Sequence, residues 1–254
     1  MSSGRRSNTA FLVAVVLGLL ASALPSNAQQ DEIEVADFGV GFIVSLGGKL
    51  YDNLWTATAA KPPAHRNPAY PPVPEVNDAD TWRCVSCHGW DYKGIDGERA
   101  VLGRHKAFKD LRPLADNDPK SIVDKIRNSH PDIPDDAIPD SVLEVLAIFI
   151  SVGMYDRDAL IDDTNRISGD RDRGRDIFEG ACMNCHQPDG RMPLRGEKGD
   201  RSSLGWIARN RPEQAVHKIL NGVPGAEMLA VGFLEPHQIV NLLAYLQSLD
   251  PDEK

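Results

Sequence analysis

The chain has 254 residues but only four cysteines, and all four fall in two short motifs. Cysteine is therefore absent everywhere else. An excess of basic residues is also absent, since 28 Lys and Arg face 37 Asp and Glu and give a formal charge of −9. Such a negative chain excludes nucleic acid as a natural partner and favours docking on basic surfaces. Runs of alternating strand residues are missing from both halves of the sequence, which argues against a sheet.

A long apolar run of membrane-spanning length is missing near the N terminus. The apolar stretch Ala10–Leu24 follows Arg5 and Arg6 and precedes the small-residue site 26–28, as in a secretory signal peptide. It is short for a spanning helix, which needs about 20 apolar residues. We predict export to the periplasm, cleavage after Ala28 and no stable membrane span afterwards. The alternative is a segment that stays uncleaved as an anchor.

The four cysteines form the pattern Cys-x-x-Cys-His twice, at 84–88 and 182–186. This is the attachment signal of c-type haem. Two cysteines three apart add across the two vinyl groups of one haem, and the adjacent histidine supplies an imidazole to the iron. The sequence therefore predicts two covalently bound haem c groups, with iron ligands at both histidines. The predicted haem-binding residues are Cys84, Cys87, His88, Cys182, Cys185 and His186.

Three other uses of these cysteines fit less well. Zinc sites of the Cys-x-x-Cys type place their two pairs roughly 12–20 residues apart, whereas these pairs start 98 positions apart. A thioredoxin-type dithiol needs a βαβ unit around it. A disulfide within Cys-x-x-Cys closes too short a loop to stabilise much of the chain.

An internal repeat extends beyond the motifs. Residues 117–128 and 210–221 are identical at six of twelve positions, and each segment has a proline near its start. Proline in the first turn and a single apolar face predict one helix in each segment. Segments 96–103 and 189–196 also correspond, which places Ala100 opposite Pro193. The motifs are offset by 98 residues and the helices by 93, which indicates a five-residue insertion after His88.

These features predict an all-α chain with two tandem helical domains. Each domain ends in a further helix, Ser141–Ile150 or Pro236–Leu249. The predicted boundaries are a signal peptide at 1–28, an N-terminal helix and proline-rich strap at 29–80, a first domain at 81–155, a charged linker at 156–169 and a second domain at 170–254. Below, the first half ends at residue 155 and the second half begins at 156.

A helix before the second motif carries Gly174 and Phe178, and we expect Phe178 to pack on Tyr245. The first half has no helix directly before its motif. Gly47 and Tyr51 repeat the spacing from glycine to aromatic residue, so an upstream helix is one candidate counterpart, with Tyr51 packing on Phe149. An unrelated N-terminal helix is an equally good interpretation.

The second half resembles a class I cytochrome c domain. In that family a proline carbonyl after the motif accepts a hydrogen bond from the proximal histidine, and a methionine in the loop before the last helix is the distal ligand. The resemblance assigns these roles to Pro193 and Met228. It rests on Gly174, Phe178, the 182–186 motif, Gly190, Pro193, Leu194, the helix after Pro212, the 221–225 peptide, Met228 and Tyr245.

The first half departs from this pattern because its corresponding loop has no methionine. His130 lies in that loop, 42 residues after His88, and is our predicted distal ligand. His105 is the alternative, and an open iron site is a third option. Met154 follows the last helix of the first half and is poorly placed. The remaining histidines, at 65, 217 and 237, are predicted to face solvent. Trp82, Trp90 and Tyr92 either shield the first haem from water or fill the space made by the insertion, and we favour the second interpretation.

A thioether ligand raises a haem potential relative to a second imidazole. The first haem is then the lower in potential, and electrons run from it to the second. Two six-coordinate irons leave no place for substrate, so we predict an electron carrier, or the cytochrome subunit of an oxidoreductase, with no catalytic residues.

Two alternatives stay open. One is an enzyme that reacts at the first haem, similar to dihaem thiosulfate dehydrogenases or peroxidases. The former typically use a cysteine as distal ligand, and this chain has no spare cysteine; the peroxidases are longer. The other is a membrane-tethered oxidase subunit, which requires that the signal segment is retained.

Overall fold

A computed structural model describes residues 39–73, 76–102, 107–133, 137–192 and 203–250. The predicted signal segment, His105 and Pro193 lie outside these ranges. Within them all regular secondary structure is helical, which confirms the all-α prediction. The described α-helices are α1 Val40–Ala57, α2 Cys84–His88, α3 Pro119–Ser129, α4 Asp140–Val152, α5 Arg171–Ala181, α6 Met183–His186, α7 Leu204–Asn210, α8 Pro212–Asn221 and α9 Pro236–Leu246.

The helices of the internal repeat form as predicted. Prolines occupy the first turns of α3 and α8, and the Asp118 carboxylate caps α3 by accepting from the Lys120 amide. Helix α9 ends at Leu246, three residues before its predicted end. Short 3₁₀ turns at Ala79–Trp82, Gly94–Asp96, Glu98–Leu102 and Arg112–Leu114 connect the helices of the first half.

Each half contains a close helix crossing built on glycine. In the first half, a Cβ on Gly47 of α1 would lie 2.5 Å from the Phe149 Cβ and from the Val145 carbonyl oxygen of α4. In the second half, a Cβ on Gly174 of α5 would overlap the Asn241 carbonyl of α9. Only a residue without a side chain allows either pair of backbones to approach this closely.

Aromatic pairs lie one turn beyond these glycines. The rings of Tyr51 and Phe149 have centroids 5.7 Å apart, and those of Phe178 and Tyr245 are 5.3 Å apart. Both predicted pairs are thus confirmed. Helix α1 makes the same crossing in the first half that α5 makes in the second, which favours its interpretation as the counterpart of α5.

The proline-rich segment after α1 is held against the first half by backbone carbonyls. The Trp82 indole donates to the His65 carbonyl at 2.6 Å. The Arg66 guanidinium donates to the carbonyls of Pro71, Val73 and Val76 at 3.2, 3.1 and 2.5 Å. Arg66 and its three acceptors all belong to the strap, so the guanidinium holds the conformation of the strap, while the Trp82 indole ties it to the helices that follow.

The two halves meet at His217, which is fully buried rather than solvent-facing as predicted. Its Nε2 hydrogen bonds to the Gly48 carbonyl at 2.9 Å, and the Tyr92 hydroxyl lies 2.9 Å from its Nδ1. A carbonyl only accepts, so Nε2 carries the proton and Nδ1 accepts from the tyrosine. Burial lowers the pKa of His217 to about 4. The exposed positions predicted for His65 and His237 are confirmed.

A buried carboxylate lies beside this contact. Asp52 of α1 accepts from Arg83 at 2.6 Å and from Lys218 of α8 at 2.7 Å, and its side chain is 3% exposed. Burial alone would raise its pKa, but the two cations outweigh that effect and hold the pKa below its usual value. Asp52 thus pairs with both halves at once.

The charged segment 156–169, with which the second half begins, packs along the rest of that half. Arg157 donates to the Glu213 carboxylate at 2.8 Å, and Ile161 and Ile167 are buried in the second hydrophobic core. In the part of the chain that the structure describes, no helix is long and apolar enough to cross a membrane.

The Gly174 crossing makes a specific stability prediction. Changing Gly174 to Ala should lower the free energy of unfolding by about 1–3 kcal/mol, because the new methyl group would overlap the α9 backbone. Gly180 in the same helix has open space around its Cβ position. Gly180→Ala should therefore be neutral or stabilising by up to about 1 kcal/mol. Urea unfolding of both variants measures the difference, and equal effects would contradict the proposed crossing.

His217 makes the stability of the fold depend on pH. Its pKa is about 4 in the folded chain and about 6.5 when unfolded. Above pH 6.5 it is neutral in both states and has no effect. As the pH falls from 6.5 towards 4 the unfolded chain binds the extra proton, and stability drops by up to about 3 kcal/mol. His217→Phe should be less stable at pH 7 yet lose less on acidification, whereas His237→Gln, at an exposed position, should leave the stability at pH 7 unchanged.

Candidate haem sites

Both motifs form a short helix that ends at the histidine. In the first half α2 ends at His88, and Gly89 follows with φ +77°. A Cβ on Gly89 would lie 2.6 Å from the Asp91 Oδ1, so glycine suits this position. In the second half α6 ends at His186, and Gln187 has φ +61°. The same backbone conformation, with positive φ and extended ψ, leads the chain away from each histidine.

Each proximal histidine is oriented by one backbone carbonyl. The Nδ1 of His88 lies 2.7 Å from the Lys109 carbonyl oxygen, and the Nδ1 of His186 lies 2.7 Å from that of Met192. Because a carbonyl only accepts, each Nδ1 carries the proton, and Nε2 is then the nitrogen of each ring that could bind a metal. The two sites share this arrangement although their surrounding sequences differ.

These carbonyls correct the sequence alignment after the first motif. In the second half the Met192 carbonyl accepts from His186, and the predicted role of Pro193 stays a prediction because Pro193 lies outside the described residues. In the first half the acceptor belongs to Lys109, not to the neighbourhood of Ala100. The acceptor follows the histidine by 21 residues in the first half and by six in the second. The insertion after His88 is thus about three times longer than predicted. The connection from Lys109 to α3 is shorter than its counterpart in the second half, so the offset between the helices reveals only part of the insertion.

The first motif opens on a large, mostly apolar cavity. Cys84 and His88 lie on its wall, and His130 lies there as well. The other lining side chains come from α1, α3, α4 and the connections between them: Tyr51, Leu54, Trp55, Trp82, Lys109, Asp110, Leu111, Pro113, Leu114, Lys125, Ile126, Ser129, Ile133, Ile138, Leu143, Leu146 and Ile150. Such a lining suits a large hydrophobic group with a few polar contacts.

The rings of the two cavity histidines lie at a separation that would suit ligation of one metal ion by both. Their ring centroids are 6.3 Å apart. Imidazole nitrogens bind metals at about 2 Å, so two rings across one ion have centroids roughly 6 Å apart. The Nδ1 of His130 donates to the Ile126 carbonyl at 3.0 Å, which leaves its Nε2 unprotonated, as in His88. The structure therefore brings together the two predicted ligands of the first iron.

Burial sets the protonation states in this cavity. It lowers the pKa of His88 to about 4 and also lowers that of His130, so both rings are neutral at pH 7. It raises the pKa of Cys84 to about 11 and that of Cys87 to about 12. Redox-active dithiols need a lowered thiol pKa. The raised values argue against a thioredoxin-type function.

The other proposed ligands of the first iron have different positions. Met154 packs against the first hydrophobic core and does not line the cavity. His105 lies outside the described residues. Of the candidates that the structure describes, His130 is therefore the one that faces His88.

Met228 lies in the loop between α8 and α9. The Val231 amide closes this loop by donating to the Ile219 carbonyl at 2.9 Å. Gly222 has φ +80°, and a Cβ there would lie 2.7 Å from the Met228 carbonyl oxygen. These contacts fix the backbone around Met228, which is half-buried. Its ligation of the second iron stays a prediction.

Sequence reasoning missed several cavity residues, and the signals for them differ. Tyr51 was found through its spacing from Gly47, whereas Leu54 and Trp55, one turn further on, had no such pattern. The carbonyl of Lys109 carries no sequence signal, because every residue type supplies the same acceptor.

Residues 172–250 match the family model described as Cytochrome c. This part of the chain is a cytochrome c domain, and the family generally transfers electrons. The match includes the second motif, Met228 and α9. The first motif lies outside it, and its two cysteines suggest a second haem site. No curated protein matches the chain.

The distal ligand of the first site can be tested with one substitution. His130→Ala should turn the first haem from low-spin to high-spin in the ferric electron paramagnetic resonance spectrum, because the iron loses its sixth ligand. The second haem should be unchanged. Met154→Leu is the matched control and should leave both signals as they are. A normal spectrum for His130→Ala with a high-spin signal for His105→Ala would make His105 the ligand.

Proposed function

We propose that this chain is a periplasmic dihaem c-type cytochrome that carries electrons between redox partners or serves as the electron-transfer subunit of an oxidoreductase. The observation that supports it best is the repeated proximal arrangement. In one chain, two Cys-x-x-Cys-His helices each place a histidine whose Nδ1 donates to a backbone carbonyl at 2.7 Å. The cytochrome c domain at 172–250 supplies the family to which one of them belongs.

The two sites would differ in their distal ligands. His130 would complete the first site and Met228 the second. Bound haem supplies one-electron exchange at the iron, and a methionine ligand raises its potential relative to a second histidine. Electrons would then run from the first half to the second. The more open second motif suits exit to a partner, since Cys185 is exposed whereas the corresponding Cys87 is half-buried.

The protein's own residues would hold and shield the cofactors. Trp55 and Trp82 line the first cavity. The Trp55 indole N–H donates to the Trp82 carbonyl, and the Trp82 indole N–H donates to the His65 carbonyl. These rings therefore exclude water without adding an unpaired donor. Neutral His88 and His130 on opposite faces would leave no open position for a substrate. This arrangement favours electron transfer over catalysis at the first site.

The partner would be a redox protein with a basic docking surface. The formal charge of −9 falls to −11 if cleavage after Ala28 removes two arginines and no acidic residue. Electrostatic attraction speeds such encounters and weakens as salt screens it. Transient redox complexes typically use small interfaces, which suits a carrier that must also dissociate.

The haem-enzyme alternative, similar to thiosulfate dehydrogenases or peroxidases, has less support. All four cysteines belong to the two motifs, so none is left as a distal ligand. Its distinguishing sign would be a high-spin first haem that binds a small ligand in the unaltered protein.

A redox titration of the purified holoprotein tests the function. We expect two haems per chain by the pyridine haemochrome assay and two one-electron steps of different potential. Met228→His should lower the higher potential, because a second imidazole replaces the thioether. Met154 gives the control, since it packs on the first hydrophobic core and does not line the cavity: Met154→Leu should leave both potentials in place. One haem per chain, or potentials that do not change in Met228→His, would contradict the proposal.

A further inference from the structure

We infer that the contact between Trp90 and His217 is the bridge through which an electron passes from the first haem site to the second. This inference rests on the proposed function, since it presupposes a haem at each motif. It assigns a bridging function to two residues that ligate no iron. Trp90 belongs to the long insertion of the first half, and His217 lies on α8 of the second.

The bridge begins directly at the first proximal ligand. His88, Gly89 and Trp90 are consecutive, so two peptide units connect the imidazole-bearing residue to the indole-bearing one. The Trp90 and His217 rings have centroids 5.1 Å apart, and the two residues are 7% and 0% exposed. Water is thus excluded from the contact, and the two ring systems nearly touch. Electron tunnelling is faster through closely packed atoms than across gaps, so such a contact favours transfer.

The bridge continues along one helix to the second site. From His217, α8 runs to Asn221, and Gly222 follows against the Met228 backbone. The path therefore leads from the proximal histidine of the first site to the distal loop of the second. It uses covalent bonds and helix hydrogen bonds, apart from the ring contact and the approach of Gly222 to Met228.

Several interactions hold the ring contact in place. The Tyr155 hydroxyl lies 2.9 Å from the Trp90 carbonyl and 3.0 Å from the Glu213 carbonyl, so it joins the insertion to the start of α8. The Lys218 ammonium lies 5.2 Å from the Trp90 ring centroid and pairs with Asp52. Tyr92, in the left-handed region at φ +61°, directs its hydroxyl to His217. Non-glycine residues in that region are uncommon and persist only where their surroundings fix them.

The charge on Lys218 also limits how Trp90 acts. A cation over the face of an indole attracts the electron-rich ring. Removing an electron from that ring would place two positive charges together. Trp90 therefore conducts as a medium and is not itself oxidised. One electron leaves the first site and arrives at the second, no bond forms or breaks, and no proton moves.

Tyr51 offers a rival route. It lines the first cavity, and its ring centroid lies 5.6 Å from that of His217. Both routes converge on His217, so the experiment must distinguish Trp90 from Tyr51.

The test measures electron equilibration between the haems after rapid photoreduction of the oxidised holoprotein. Trp90→Leu should slow this first-order step on the order of tenfold, because a gap replaces the packed ring. Both midpoint potentials and the haem content should stay unchanged, which a merely structural defect would not allow. Trp90→Phe keeps an aromatic ring and should restore most of the rate. Tyr70→Leu removes another buried aromatic side chain, away from the contact, and should have no effect.

The outcomes separate the two proposals. One haem per chain would overturn the proposed function. Two haems with parental potentials and a parental rate in Trp90→Leu would overturn the bridge alone, as would slowing in Tyr51→Leu without slowing in Trp90→Leu. If Trp90→Leu does not fold, Trp90→Phe and Tyr51→Leu decide the question. A small loss of rate in Trp90→Phe with a parental rate in Tyr51→Leu supports the bridge, whereas a parental rate in Trp90→Phe together with slowing in Tyr51→Leu overturns it.

Discussion

The described chain is organised around one neutral imidazole buried where its two halves meet. His217 can stay in this position because each ring nitrogen has the partner that its protonation state requires: a carbonyl from α1 and a hydroxyl from the insertion. A buried polar group without partners would cost about 1–3 kcal/mol. The surrounding rings of Tyr51, Trp90 and Phe149 exclude water, so the two hydrogen bonds act in a medium of low dielectric constant.

Helix α1 connects this buried imidazole to the first cavity. It is bent at Asn53, whose backbone is not helical, and the Asn53 side chain accepts from the Thr56 amide to start the final turn. Residues before the bend contact α4 and α8. Leu54 and Trp55 after it line the first cavity. A straight helix could not place the same residues against both partners.

Much of this architecture follows from the sequence, but not the connections between the halves. Helices α3 and α8 were predictable from proline position and apolar spacing, and the crossings from the interval between glycine and aromatic residue. Burial of His217 was not, because a histidine in a helix face looks the same whether water or another part of the chain covers it. The role of the Lys109 carbonyl as acceptor could not be predicted either, since backbone groups carry no residue-type signal. The alignment failed there because an insertion and a deletion nearly cancelled.

The internal repeat suggests that each half began as a self-sufficient unit, yet the halves are no longer interchangeable. Helix α8 presents a buried face to α1 that includes His217 and Asn221. Both side chains would become exposed to water if α1 were removed. Gly48 and Gly225 likewise pack closely on the opposite half. A Cβ on Gly48 would collide with Asn221, and a Cβ on Gly225 would collide with Thr56. Duplicated modules that have adjusted to each other in this way lose their independence: a graft of either half into another protein would expose a surface that is buried here.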